Sequence, residues 1–158
     1  MVSIEDREKI RHVRNLIGLN YKFLGRINDI PESRSEVVRL NREGFGIDCY
    51  GTLLVVYRFL GFNIKDYFYK HNWYRRNSEN GLFDKSYDNN FIKVKDLQVW
   101  DSITFKIKSI VPNHIGIYLG EGEFIHCLDN SSVCVSRIAG FWHKLKCDFY
   151  RIKDECRS

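Results

Sequence analysis

An α+β fold, with N-terminal helices packed on an antiparallel sheet of about five strands, is predicted by three features of this 158-residue chain. Apolar residues in the first sixty positions fall at helical spacing. From Asp101 onward they alternate with polar residues at the two-residue period of a strand, and glycine-containing turns separate the alternating runs. A chain of this length, 44% hydrophobic and 15% aromatic, buries one core and is too short for two ordinary domains, so residues 1–158 are read as a single domain.

The first helix opens at Ser3-Ile4-Glu5-Asp6, a capping pattern, places Ile10, Val13, Leu16 and Ile17 on one face, and should end near Gly18. Residues 26–46 hold Pro31 and Gly44 among polar and charged side chains and read as a loop with one turn of helix over 35–40; loops this long are usually lids or insertions. Residues 50–60 are apolar on nearly every side and are followed by Gly61, the pattern of a buried helix with a glycine beyond its end. Residues 66–95, rich in Tyr, Asn, Asp and Lys around Trp73, lack periodicity and are expected to be irregular surface structure. Then come five strands. Ile103, Phe105 and Ile107 alternate with Ser102, Thr104, Lys106 and Lys108; a second run covers 114–119; Gly120-Glu121-Gly122 turns the chain into a third over 123–128; shorter runs cover 133–136 and 149–152.

The formal charge of +5 is spread over Arg7, Lys9, Arg11, Arg14, Arg75, Arg76 and a Lys-rich strand with acids intermixed, so nucleic acid is not an expected partner. Nor is a membrane. No run approaches the roughly 18 apolar residues of a span, and the opening Met1-Val2-Ser3-Ile4-Glu5-Asp6-Arg7 lacks the apolar core of a signal peptide, which is the pattern of a chain made in the cytoplasm without one. Cysteines at 49, 127, 134, 147 and 156 are odd in number and include no C-x-x-C pair, which gives no support to a zinc site or a disulfide framework.

Cys49 stands apart through its neighbours, Gly46-Ile47-Asp48-Cys49-Tyr50-Gly51. Asp48 can cap the buried helix, and Cys49 then lies in its first turn, where unpaired N–H groups and the helix dipole favour a thiolate. His114 opens a strand beside Gly116, where the missing side chain permits close approach, and His126 follows the next turn. Taken singly, each has an ordinary alternative as a packing residue. A Cys followed far downstream by histidines, across a helix and a sheet, is the order expected when folding joins a nucleophile to a base.

Three motifs in order, Asp48-Cys49-x-Gly51, His114-Ile-Gly-Ile-Tyr-Leu-Gly120 and Gly122-Glu-Phe-Ile-His126, resemble the NlpC/P60 papain-like hydrolases, whose catalytic histidine and third triad residue show the same separation of 12. The segment Leu16-Ile17-Gly18-Leu19-Asn20-Tyr21-Lys22-Phe23-Leu24-Gly25 is similar to the stretch before the family's nucleophile. Tyr50, Val56-Tyr57-Arg58, Asn72-Trp73, Trp142 and Arg151 echo the branch found in phage tail assembly genes. Tyr50 replaces the usual small residue after the Cys, Trp100-Asp101 the usual Gly-Asp, and Cys127 the usual Ala, and the stretch between Tyr21 and Cys49 is longer than in compact members.

The resemblance implies a papain-like fold in which Cys49 is the nucleophile, His114 its base and His126 the residue that orients it, with Tyr21 helping to hold the oxyanion and no metal or organic cofactor. It implies amide hydrolysis in the peptide stem of peptidoglycan, between D-glutamate and a diamino acid, by a protein carried at a phage tail tip among tail proteins. Residues 67–73 and Arg75-Arg76 would be its docking segment. Other readings are a structural tail component with dispensable catalysis, or an antibacterial effector using the same chemistry. The third residue stays open: if residues 121–123 form a three-residue loop, His126 pairs with Tyr118, about 13 Å along the sheet from His114, and Asn130 or Asp129 becomes the orienting group unless a bulge intervenes.

Overall fold

The computed structural model describes residues 2–70 and 90–158. Helix α1 (Ile4–Val13) starts where the Ser3 hydroxyl accepts the Asp6 N–H at 3.1 Å, continues as a tighter turn over Arg14–Leu16, and buries Ile10, Val13 and Leu16. Helix α2 (Arg34–Arg42) has nine residues, more than the single turn expected. Its stability is local: Ser33 caps the Glu36 N–H, and the Glu36 carboxylate reaches back to the Glu32 N–H at 2.8 Å. Helix α3 (Cys49–Phe59) is buried from Tyr50 through Tyr57 and ends at Gly61, whose φ of +91° lets the Phe62 N–H return to the Tyr57 carbonyl.

The described residues form a six-stranded antiparallel sheet, β1 (Phe91–Val94), β2 (Ser102–Phe105), β3 (His114–Gly120), β4 (Glu123–Cys127), β5 (Val133–Arg137) and β6 (Lys146–Ile152), in the order β1-β6-β2-β3-β4-β5. Five are those expected. The sixth, β1, lies in a stretch read as irregular, and pairs with β6 from Phe91↔Ile152 to Val94↔Phe149. Asn72-Trp73, Arg75-Arg76 and most of the expected docking segment lie outside the described residues.

Alternation along β3, β4 and β5 divides the core in two. Ile115, Ile117, Leu119, Ile125, Cys127 and Val133 pack with α1 and α3, while Ile103, Phe105 and Phe124 pack on the opposite face with Tyr118, Trp142 and Leu145, the last two carried by the short helix α4 (Phe141–Leu145). Trp100, where the resemblance leads one to expect glycine, takes a φ of +76°. Its N–H donates to the Tyr118 carbonyl, its indole N–H to Asp6, and its carbonyl accepts the Tyr57 hydroxyl, so surrounding bonds hold the strained backbone. The adjacent Asp101 carboxylate takes two bonds from Arg151, at 2.9 and 2.8 Å, joining β6 to the head of β2.

The β3–β4 hairpin differs from the three-residue loop expected. Gly120 pairs with Glu123, leaving the two-residue turn Glu121-Gly122 with φ of +53° and +78°, a turn whose twist matches the strands. The register then shifts at Leu119, giving Tyr118↔Phe124 and Ile117↔Ile125. Continued by one residue, this places His126 opposite Gly116, two positions from His114 instead of four. Phe124 lies across Gly116: a Cβ there would sit 2.4 Å from the Phe124 ring. Gly116→Ala should therefore cost about 1–3 kcal/mol through overpacking, measured as a lower urea midpoint at unchanged m-value.

Candidate active site

The start of α3 is held by Asp48, 4% exposed and satisfied on both oxygens. Oδ1 accepts the Gly51 N–H at 2.8 Å and Arg26 Nη1 at 2.9 Å; Oδ2 accepts the Leu24 N–H at 2.9 Å and the Tyr69 hydroxyl. Arg26 also grips Asp66 through Nε and Nη2, so the long loop and residues 66–69 are tied to the helix start by one partly buried ion pair. Cys49, next in sequence, remains partly exposed whereas Cys127 is buried; all five cysteines are free thiols.

The β3–β4 ladder ends at Ile117↔Ile125, and beyond it the backbone N–H of Ile115 acts on the Cys49 thiol, favouring its anion. Ile115 follows the first residue of β3, His114. That residue is anchored by its neighbour: the Asn113 side chain bonds both the N–H and the carbonyl of Ile107, at 2.8 and 2.9 Å, closing the β2–β3 loop.

His114 and His126 lie on the α4 face, 3% and 1% exposed, with His114 Nε2 and His126 Nδ1 2.8 Å apart. Phe105, Phe124 and Trp142 wall them in; the Trp142 ring centre is 4.7 Å from that of His126 and 5.7 Å from that of His114. His126, not Asn130 or Asp129, is the group bonded to His114. Asp129 and Asn130 are exposed on the turn after β4, where Tyr21 is fixed by its N–H to the Ser131 carbonyl and by a bridge to Ile47.

Burial sets the charges. It pushes the Cys49 thiol well above its ordinary range, and the carboxylates of Asp48 and Asp129 add to the shift against the opposing Ile115 N–H. This departs from the thiolate expected at a helix start: desolvation outweighs the dipole. Desolvation also drives His114 far down, with His126 contributing, and lowers His126 to about 4. At rest the thiol and both imidazoles are neutral. Tyr21 is pushed up by burial and by Asp129 and Asp48, so its hydroxyl stays a donor. Sequence reasoning missed Arg26, Tyr69 and Ser136, and read Trp142 only as a family echo; a period-two count back from Ser136 to Cys134, opposite His126, would have put that serine on the histidine face.

A cysteine opening a helix packed on an antiparallel sheet, with a histidine at the head of a strand, is the papain-like arrangement. The model of the NlpC/P60 family matches residues 18–151, and the chain belongs to that family. A comparison with curated proteins finds no match. Solved structures that it resembles include a Staphylococcus aureus protein similar to lipoproteins of the NLP/P60 family, at 17% identity and TM-score 0.61, covering 95% of this chain and 42% of that one. Another is the peptidoglycan hydrolase RipB of Mycobacterium tuberculosis, at 18% identity and TM-score 0.59 over 95% of this chain and 67% of that one. RipD of the same organism, a non-catalytic NlpC/p60 domain protein adapted to peptidoglycan binding, matches at 15% identity and TM-score 0.58 over 96% and 98%. At such identities the likeness is one of fold.

A neutral buried histidine links stability to pH. The unfolded chain binds a proton at about pH 6.5 that folded His126 takes up only near pH 4, so its contribution is whole above pH 6.5 and is lost as pH falls toward 4, on the order of 3 kcal/mol. The thermal midpoint followed by circular dichroism should drop across this window, and His126→Gln should flatten the drop.

Proposed function

We propose that the chain is a cysteine peptidase or amidase acting on peptidoglycan stem peptides, at the bond between D-glutamate and the diamino acid. The observation that carries this is the buried His114–His126 pair, bonded at 2.8 Å, with His114 on the strand whose Ile115 N–H favours the anion of the Cys49 thiol at the start of α3. Family membership and the likeness to RipB support the substrate class.

In this reading His114 Nδ1, the ring nitrogen not engaged with His126, takes the thiol proton as the sulfur attacks the amide carbonyl carbon. The Cys49 N–H and the Tyr21 hydroxyl stabilise the oxyanion, the C–N bond breaks, and His114 returns its proton to the departing amine. Water, deprotonated by His114, then cleaves the thioester and restores the thiol. Because thiol and imidazole both rest neutral, proton transfer accompanies attack instead of preceding it. The Ile115 N–H favours the sulfur anion as it forms.

Binding without hydrolysis is the second reading, favoured by the likeness to RipD and by a thiol held neutral. Digestion of purified muropeptides, with mass analysis of the products, separates the two. Cys49→Ala should reduce hydrolysis by about 10^3-fold or more, His114→Ala equally, and His126→Ala by about 10^2-fold, since it loosens a ring without removing a proton carrier. A wild-type chain that binds muropeptides without cutting them, and whose Cys49 resists a thiol-directed electrophile, establishes the binding role.

We further propose a place at the tip of a phage or phage-like tail, opening the wall locally during entry; the pattern of Tyr50, Val56-Tyr57-Arg58, Trp142 and Arg151 supports it. Mass spectrometry of purified particles should find the chain. Its absence there, together with a neighbouring secretion system, favours an antibacterial effector.

A further inference from the structure

We infer that Ser136 is a positioning residue that fixes the tautomer of His126 and, through it, that of His114; this rests on the reading of His114 as the base. The three side chains lie on one sheet face, on the adjacent strands β3, β4 and β5. His114 Nε2 meets His126 Nδ1 at 2.8 Å, and His126 Nε2 meets Ser136 Oγ at 2.8 Å. His126 stands directly opposite Cys134 and Ser136 opposite Phe124, so each link runs diagonally to the next strand.

Proton placement follows from the donor inventory. To accept the thiol proton at Nδ1, neutral His114 carries its own hydrogen on Nε2 and donates it to His126 Nδ1. His126 Nδ1 is then an acceptor, which leaves its hydrogen on Nε2, and that N–H needs an acceptor of its own. Ser136 Oγ is an oxygen at the right distance; the other neighbour, Cys134 Sγ at 3.5 Å, is a weak acceptor. A His126 protonated at Nδ1 would set two N–H groups against each other unless His114 also moved its hydrogen to Nδ1, where it could no longer accept the thiol proton. Phe105, Phe124 and Trp142 supply no acceptor, so the Ser136 oxygen is the group that completes the tautomer in which His114 keeps Nδ1 free for the thiol proton. When His114 becomes charged, Ser136 keeps His126 turned as an acceptor toward the new imidazolium. No proton travels past His114.

The test combines a spectrum with kinetics on the full chain. With 15N-labelled histidine, the wild-type protein should show His126 protonated at Nε2. Ser136→Ala should mix its tautomers, and Ser136→Thr should restore the single form. On a muropeptide substrate Ser136→Ala should lower kcat by about 10- to 100-fold with KM changed less than about 2-fold, while Ser136→Thr stays within about 3-fold of wild type. A wild-type His126 protonated at Nδ1, or a Ser136→Ala chain that keeps both the tautomer and kcat, overturns the inference. Should the wild-type chain fail to hydrolyse any muropeptide, the peptidase reading falls, and the spectra alone then decide the role of Ser136.

Discussion

The length of one turn governs where the chemistry lies. With two residues at Glu121-Gly122 and an extra residue at Leu119, the β3–β4 register brings His126 to the diagonal neighbour of His114, within 2.8 Å between ring nitrogens. A register slip of one residue would send every side chain of β4 to the other face; a slip of two would keep the face and separate the rings. The Gly122 N–H bonds the Tyr118 hydroxyl at 2.9 Å, and Phe124 lies over Gly116, so the turn is pinned from both sides. The same ladder ends before Ile115, whose N–H favours the Cys49 anion.

The second organising element is the buried Asp48 carboxylate. It caps α3 and binds Arg26 and Tyr69, and so joins the helix that opens at Cys49 to the long loop and to residues 66–69. Its charge acts on Cys49 in the same direction as burial. Protein architecture and thiol chemistry are coupled here through one side chain, and Arg26 is the counter-charge that makes a carboxylate tolerable in that place.

Much of this was legible in the sequence, and the exceptions have physical causes. Helix α3 and strands β2 to β4 announced themselves because their apolar periods are clean, and Asp48-Cys49, His114 and His126 could be read because each sits at an element boundary or beside a glycine. Strand β1 could not: only Phe91 of its four residues is buried, and it owes its existence to pairing with β6, some 60 positions later in the chain. Helix α2 hid behind its charges. The position of His126 depended on positive φ at Glu121, which a non-glycine residue does not advertise. Ser136 carries no signal on its own; it matters only because two registers bring it to a buried ring. The charge on Cys49 was misjudged because burial is a property of the assembled fold, whereas the helix dipole is visible locally.

Thiols held in the protonated form have a further consequence. Oxidants and disulfide partners react with sulfur as the anion, and burial keeps the proton on Cys49, Cys147 and Cys156 and pushes Cys127 up to about 12. Cys49 is one of four partly exposed thiols, and the Ile115 N–H, which favours its anion, does not outweigh burial. Peroxide meets there a sulfur of low reactivity. The endurance of such a protein in an oxidising medium is set by how rarely that proton leaves, and only weakly by how many cysteines the chain contains.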